Sequence, residues 1–290
     1  MKRFRISLLT LFIVLTTAAA SAQTPKDSAW TTNGNIGLKL SQASFTNWAT
    51  GGNNAFAFDL QGMYSAEYKY NKHLWTNRAE LAYGMTKTKA DGVRKTSDKI
   101  YFNSNYGYQV ANNLYVSGLL NFQTQSAFGY NYGPEDVYMS KFMAPGYLMT
   151  GAGITWTPKK YFTAVFAPAS WRGTFVLSDV LSARGAYGVT PGEHLLSEFG
   201  ANLKLEANYD IMKNMNVYSR LDLYSNYLNK PQNIDVNWEV QLTMTINKWF
   251  SANLTTNLVY DDNITIPIDG RETKRIQFRE VLGVGLQYNF

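Results

Sequence analysis

The chain has 290 residues, a formal charge of +6, 15% aromatic residues including 20 Tyr and 7 Trp, two His and no Cys. The lack of cysteine excludes a disulfide framework, thiol chemistry and a lipid-acceptor thiol, and two histidines leave little material for metal binding or acid-base catalysis. Lys2, Arg3 and Arg5 supply half of the positive excess, so the chain beyond them carries +3, and no Lys/Arg block with interleaved aromatics points to nucleic acid.

At the N-terminus the three basic residues precede an apolar run, Ile6 to Val14, and Ala20-Ser21-Ala22 offers the small residues that a signal peptidase reads. Residues 1–22 are therefore expected to be a cleaved secretory signal and 23–290 a single domain. The run is too short for a spanning helix, and no later stretch reaches the roughly 18 uninterrupted apolar residues of one.

From residue 56 the pattern changes to strict alternation. Phe56, Phe58, Leu60, Gly62, Tyr64, Ala66 and Tyr68 alternate with Ala57, Asp59, Gln61, Met63, Ser65 and Glu67. Side chains in a strand repeat every two residues, so this predicts one apolar and one largely polar face. The segment is also long. A bilayer is crossed by about 9 to 11 tilted strand residues, whereas strands of soluble domains are mostly nearer 5 or 6. The same alternation predicts strands over 75–85, with Arg78 and Glu80 inward; over 100–109, with Asn103 and Asn105 inward; and over 114–123. Residues 140–195 read less regularly. Strands are expected at Tyr147 to Pro158 and Tyr161 to Ala167, with Pro145, Pro168 and Pro191 at strand ends or bulges.

The C-terminal half alternates more cleanly. Strands are predicted over 199–209, opposed by Glu198, Asn202, Lys204 and Glu206; over 217–227, opposed by Arg220 and Asp222; and over 236–246 and 250–260. The last runs from about Arg275 to Phe290. In it Leu282, Val284, Leu286, Tyr288 and Phe290 share one face, while Gly283, Gly285, Gln287 and Asn289 share the other. Glu280 falls on the apolar face, where a bulge or a position near the rim is expected.

This ending on an aromatic residue resembles the C-terminal assembly signal of bacterial outer-membrane proteins, and implies recognition by the barrel-insertion machinery. A terminal amphipathic strand is what closing a barrel in hydrocarbon requires, since no edge can stay unpaired there. The count is about twelve antiparallel strands in an all-β, up-and-down transmembrane barrel, with ten as the fallback. Counted back from Phe290, the connections at 247–248, 211–214, 158–160, 111–113 and 70–72 are short and fall on the periplasmic side. Those near Lys87 to Asp98, Ser126 to Gly146, Ala169 to Glu193 and Asp262 to Thr273 fall on the other and are mostly long, as in such barrels. Aromatics also gather at both strand ends, with Tyr68, Trp75, Trp156, Tyr209 and Tyr288 at one interface and Phe58, Tyr83, Tyr227 and Trp238 at the other.

Between the first two strands lies Ser44-Phe-Thr-Asn-Trp-Ala-Thr-Gly-Gly-Asn-Asn54. Its Asn47-Trp48 followed by Gly51-Gly52 resembles the hallmark of a bacterial outer-membrane family known only as a domain of unknown function, and Ser178 to Gly192 is similar to a later block of that family. The resemblance implies an outer-membrane barrel and supplies no activity for it. The residues themselves leave two roles open, a hairpin turn built on residues that tolerate φ > 0 or a constriction with Trp48 folded inward.

Alternation directs ten charges into the lumen: Asp59, Glu67, Arg78, Glu80 and Lys204 on one hand, Glu206, Arg220, Asp222, Glu239 and Arg279 on the other. A register pairing Glu206 with Arg220 and Lys204 with Asp222 would set opposite signs together. Barrels of about eight strands are filled by side chains and those of 16 or more hold a water-filled pore, so twelve is compatible with either. His194, Ser197 and Asp261-Asp262 share the outer rim and are the one candidate hydrolytic set, although no hydrolase signature surrounds them; His73 is expected to be a solvated interfacial residue. The expectation is a non-enzymatic integral outer-membrane barrel acting as a narrow channel. The alternative is a plugged structural or assembly barrel that binds another envelope component, with a rim hydrolase third. Lipid and the assembly machinery are the expected partners, a further envelope protein is possible, and no cofactor or metal is expected.

Overall fold

The computed structural model describes residues 29–43, 55–88, 92–131, 137–264, 266–268 and 271–290. The signal segment 1–22 and the Asn47, Trp48, Gly51 and Gly52 motif lie outside these residues. Twelve long strands form one closed antiparallel barrel. They are β1 (Trp30–Ala43), β2 (Ala55–Tyr70), β3 (His73–Thr88), β4 (Gly92–Ala111), β5 (Leu114–Thr124), β8 (Gly146–Lys159), β9 (Phe162–Phe175), β10 (Leu195–Met212), β11 (Met215–Asn226), β12 (Ile234–Thr245), β13 (Phe250–Tyr260) and β16 (Gln277–Asn289). Two short hairpins, β6 (Gly129–Asn131) with β7 (Val137–Ser140) and β14 (Ile266–Ile268) with β15 (Arg271–Thr273), and a one-turn helix α1 (Asp179–Ala183) decorate the connections.

Closure is made by the terminal strand. β16 pairs with β13 on one side and with β1 on the other, through Asn35 opposite Asn289 to Lys39 opposite Gly285. Gly34 and Phe290 exchange backbone hydrogen bonds of 2.8 and 2.9 Å. The Phe290 ring occupies the space a side chain at position 34 would need, so a larger residue there would have to displace the final aromatic from the seam.

The outer wall is apolar in the alternating sense the sequence predicts. On β16, Phe278, Leu282, Val284, Leu286 and Tyr288 are all exposed, and the same holds for Val116 and Leu120 on β5 and for Ile154 and Trp156 on β8. Water would make such a continuous wall costly; hydrocarbon makes it the stable arrangement. Three indole N–H groups on this face are paired with serines: that of Trp75 donates to Ser104 at 2.8 Å, that of Trp171 to Ser197 at 2.7 Å and that of Trp238 to Ser219 at 3.1 Å.

The two ends differ as expected. Both described chain ends and five short turns share one end, and three of those turns place Asn71, Asn113 and Asn214 at positive φ, which asparagine tolerates better than most residues. Aromatic rings meet in a belt there: Trp30 with Tyr68 and Trp75, Tyr161 with Tyr209, Trp249 with Tyr288. Contacts of Phe58 with Tyr83 and of Phe199 with Tyr227 mark the opposite belt.

The long-loop end departs from the sequence expectation in two places. Lys87 to Asp98 is mostly strand, because β3 and β4 pair out to Thr88 opposite Gly92. Likewise β9 continues to Phe175, so the loop there begins at residue 176. Alternation is a weak guide in both stretches, the first because polar residues fill both faces above the bilayer, the second because the register shifts near Pro168, between Gly200 and Asn202 on the partner strand. Glu280 is accommodated without a bulge: it sits opposite Thr256 in an unbroken ladder, four residues into β16 from the long-loop end.

Residues 176–194 form a structured lid. Val176, Leu181 and Val189 pack with Ala144 into a small core flanked by Tyr138 and Tyr187, and the Tyr187 hydroxyl donates to the Met139 carbonyl at 2.8 Å. Gly188 lies against Asn263, in the loop after β13. β13 is four places from β9 around the ring, so the lid reaches across part of the mouth.

Candidate functional site

The inward face of the barrel is where its chemistry lies. β11 presents Tyr218, Arg220, Asp222 and Tyr224 inward, β10 presents Glu198, Asn202, Lys204 and Glu206, and the register places Glu206 opposite Arg220 and Lys204 opposite Asp222, as the sequence predicts. The side chains, however, choose more distant partners. Lys204 bonds Glu206 at 3.2 Å along its own strand and reaches Asn103 on β4 at 2.9 Å, while Glu206 accepts from the Tyr218 hydroxyl at 2.9 Å.

Arg220 is the centre of this layer. It is 2% exposed and contacts Glu239 at 2.8 Å, Glu80 at 3.4 Å and Asp222 at 3.6 Å, with its guanidinium 4.2 Å from the centre of the Tyr101 ring. Glu80 also takes Lys99 and Arg78, each at 2.5 Å, and Lys99 reaches Glu239 at 2.9 Å. Arg78 stacks on Tyr218 at 4.2 Å. β3 and β11 are six places apart in a ring of twelve, and so are β4 and β12. The Arg220–Glu80, Arg78–Tyr218 and Lys99–Glu239 contacts therefore join opposite walls. Long side chains from facing walls thus meet head to head across the ring in this layer.

Nearer the long-loop end is a second, one-sided cluster. Arg172 on β9 bonds Glu198 and Asp235, each at 2.6 Å, and stacks on Tyr224 at 4.1 Å. Asn226 and Asn263 donate to Glu198 at 2.9 and 3.1 Å. Asp261, in the loop beyond β13, is pushed up to about 6 by burial and then by the negative charge of Asp235, against the opposing pull of Arg172.

Of the ten sequence-predicted lumen charges, Arg78, Glu80, Lys204, Glu206, Arg220, Asp222 and Glu239 form the central layer. Asp59 stands apart toward the long-loop end and accepts from Ser97. Glu67 is exposed at the short-turn mouth, and Arg279, exposed on the inner side of β16 opposite Asn257, joins no ion pair within the layer. The sequence did not single out Lys99, Tyr101, Asn103, Arg172 or Asp235. Asn103 carried a signal, since alternation placed it inside; Lys99 and Arg172 border stretches whose alternation is broken. Leu282, Val284, Leu286, Tyr288 and Phe290 line the outer face of the closing strand.

The candidate hydrolytic set does not assemble. His194 bonds the Val176 carbonyl through Nδ1 at 2.7 Å, with Asp179 3.5 Å from Nε2, while Ser197 accepts the Trp171 indole on the lipid side of the wall. His73 pairs with the Tyr106 hydroxyl at 2.6 Å and edges against Tyr108, an interfacial setting as expected.

A closed twelve-stranded antiparallel wall, apolar outside, charged inside and belted by aromatics at both ends, defines a transmembrane β-barrel. Residues 40–130 match a family described as "Protein of unknown function (DUF3078)". No curated protein matches the sequence. Among solved structures, the chain is similar to an outer membrane channel from Pseudomonas putida F1, with 9% identity, 92% of this chain and 99% of that one covered, and a TM-score of 0.42. It is also similar to the translocator domain of the autotransporter NalP from Neisseria meningitidis, with 8% identity, 98% and 96% covered, and a TM-score of 0.38. The barrel assignment rests on the strand pairing and not on these distant likenesses.

Proposed function

We propose that this chain is an integral outer-membrane barrel whose resting lumen is closed by its own side chains. On this reading it serves as a structural or assembly barrel, presenting its outer loops to another envelope component, and not as a standing open pore. The observation that carries it is the pair of cross-lumen bridges, Arg220 to Glu80 and Lys99 to Glu239. A pore that selects through a ring of charged side chains uses one sign; here the signs are mixed and mutually neutralising. A non-enzymatic role accords with the separation of His194 from Ser197. Export through a cleaved signal would leave a mature N-terminus at Gln23, which N-terminal sequencing of the membrane-inserted form checks.

Liposome swelling tests the closed lumen. Vesicles carrying the wild-type barrel should swell in an isosmotic pentose no faster than protein-free vesicles, while Glu80→Gln/Glu239→Gln, which removes the cross-lumen acids and leaves Lys99 without a carboxylate partner and Arg220 with Asp222 alone, should swell several-fold faster. Fast swelling with the wild-type protein would sink the reading. A gated passage is the second reading, favoured because the block among the described residues consists of side chains alone, so that rotamer changes would suffice to open it.

A further inference from the structure

The short-turn end of the barrel carries a one-signed charge that neither closure nor the lumen uses. Lys69 and Lys72 stand at the β2–β3 turn, Lys159 and Lys160 at β8–β9, Lys213 at β10–β11 and Lys248 at β12–β13, and all six are exposed. Four of the five short turns therefore hold lysine. Among the described residues none of the six forms an ion pair; Lys72 only lies 5.9 Å from the centre of the Tyr108 ring. The acids at this end, Glu67 and Asp210, are turned to the lumen side by alternation, and Asp210 already accepts from Asn216 at 2.8 Å. The opposite end is mixed in sign: Lys95 pairs with Asp98 and Lys274 with Asp262, and Lys87 and Lys230 share that end with the exposed acids Asp179 and Glu193.

Geometry says what such a ring meets. The turns are only two to four residues long and are tightened by Asn71 and Asn214 at positive φ, so no lysine nitrogen stands more than about one side-chain length beyond the strand ends. At those ends Trp30, Trp75, Trp156 and Trp249 form the aromatic belt, and aromatic belts sit at the level of lipid headgroups. A lysine one side chain beyond that belt lies among phosphates and not out in the aqueous compartment, with its aliphatic stem along the wall and its ammonium group at the surface. On the membrane-spanning reading given above, we infer that the lysine ring binds the phosphates of anionic phospholipid in the leaflet at the short-turn end. The barrel would then carry a shell enriched in that lipid. A basic residue near a charged bilayer surface gains attraction that decays within a Debye length, so the enrichment should be sensitive to salt.

The test uses the full barrel in phosphatidylcholine vesicles containing a trace of spin-labelled phosphatidylglycerol or spin-labelled phosphatidylcholine, with boundary association measured by electron spin resonance. The wild-type protein should prefer the anionic label about threefold at low salt, falling toward one at high salt as charges are screened. Lys72→Gln/Lys159→Gln/Lys160→Gln/Lys213→Gln/Lys248→Gln should lose the preference at all salt concentrations, whereas Lys87→Gln/Lys230→Gln, at the opposite end, should keep it. An intact, heat-modifiable barrel with no anionic preference, or a preference untouched in the five-lysine variant, would overturn the inference and leave the membrane reading standing. Failure of the wild-type protein to form a heat-modifiable barrel in any vesicle would overturn both. Lysine-dependent capture by purified cell-wall sacculi without lipid preference would also overturn it, assigning the ring to an anionic polymer.

Discussion

The two faces of the same twelve strands obey different rules. On the lipid side each residue needs only to be apolar or to have its polar group paired nearby, as Trp238 does with Ser219 one strand away. On the lumen side the charges are satisfied by partners as far as six strands away, as Arg220 is with Glu80. The outer face is thus a sum of local choices, and many substitutions there should be independent. The inner layer is a single connected network, in which removing one member strands several others.

That contrast ranks the expected effects of mutation. Arg220→Ala should be the most damaging, because it takes the contacting cation from Asp222, one of two from Glu239 and one of three from Glu80; breaking a buried pair on one side costs about 3–5 kcal/mol. Urea unfolding of the vesicle-inserted barrel measures it. Coupling should also appear, with Arg220→Ala/Glu239→Ala costing less than the sum of the two single changes. Simple additivity would break the distinction between network and wall.

Gly34→Val on the outer face should cost about 1–3 kcal/mol by displacing the Phe290 ring, and Phe290→Ala should relieve much of that cost in the double variant. Trp238→Phe should cost about 1 kcal/mol, the scale of one hydrogen bond, with no coupling to Arg220→Ala. A strong coupling between the two would mean that the wall and the lumen are not separable.

The same contrast explains what could be read from the sequence. Strand number, the apolar wall, the aromatic belts and the short-turn end all follow from a period of two along the chain, which is a local property. The Glu206–Arg220 and Lys204–Asp222 register was legible from the opposite charges on the two inward faces and not from the turn, since a two-residue turn at Lys213-Asn214 alone would set Glu206 opposite Leu221 and the irregularity between Asp210 and Met212 restores the charge pairing. The bridges were not, because Lys99 and Glu239 lie 140 residues apart and meet only when the ring closes. The strand extensions at Gly92–Asp98 and Ala169–Phe175 escaped for a different reason: outside the bilayer both faces of a strand can be polar, and near Pro168 the register shifts.

The smallest expected effect lies at the outer edge of the lumen. Asp261, pushed up to about 6 from a usual value near 3.9, keeps its proton in the folded state at pH values where the unfolded chain has lost it. Its contribution is therefore fully present below about pH 4 and is lost as pH rises through 6. Hydrogen exchange in residues 261–264, corrected for intrinsic rates, should show protection falling across that window, and Asp261→Asn should remove the Asp261 component of the fall. An unchanged pH profile in the variant would assign the effect to another group.

Conductance tests the central claim most directly. Single wild-type barrels inserted in a planar bilayer at low applied voltage should show a flat baseline, with discrete steps appearing in Glu80→Gln/Glu239→Gln. Stable, frequent steps from the wild-type protein under the same conditions would contradict a lumen closed by Arg220, Glu80, Lys99 and Glu239.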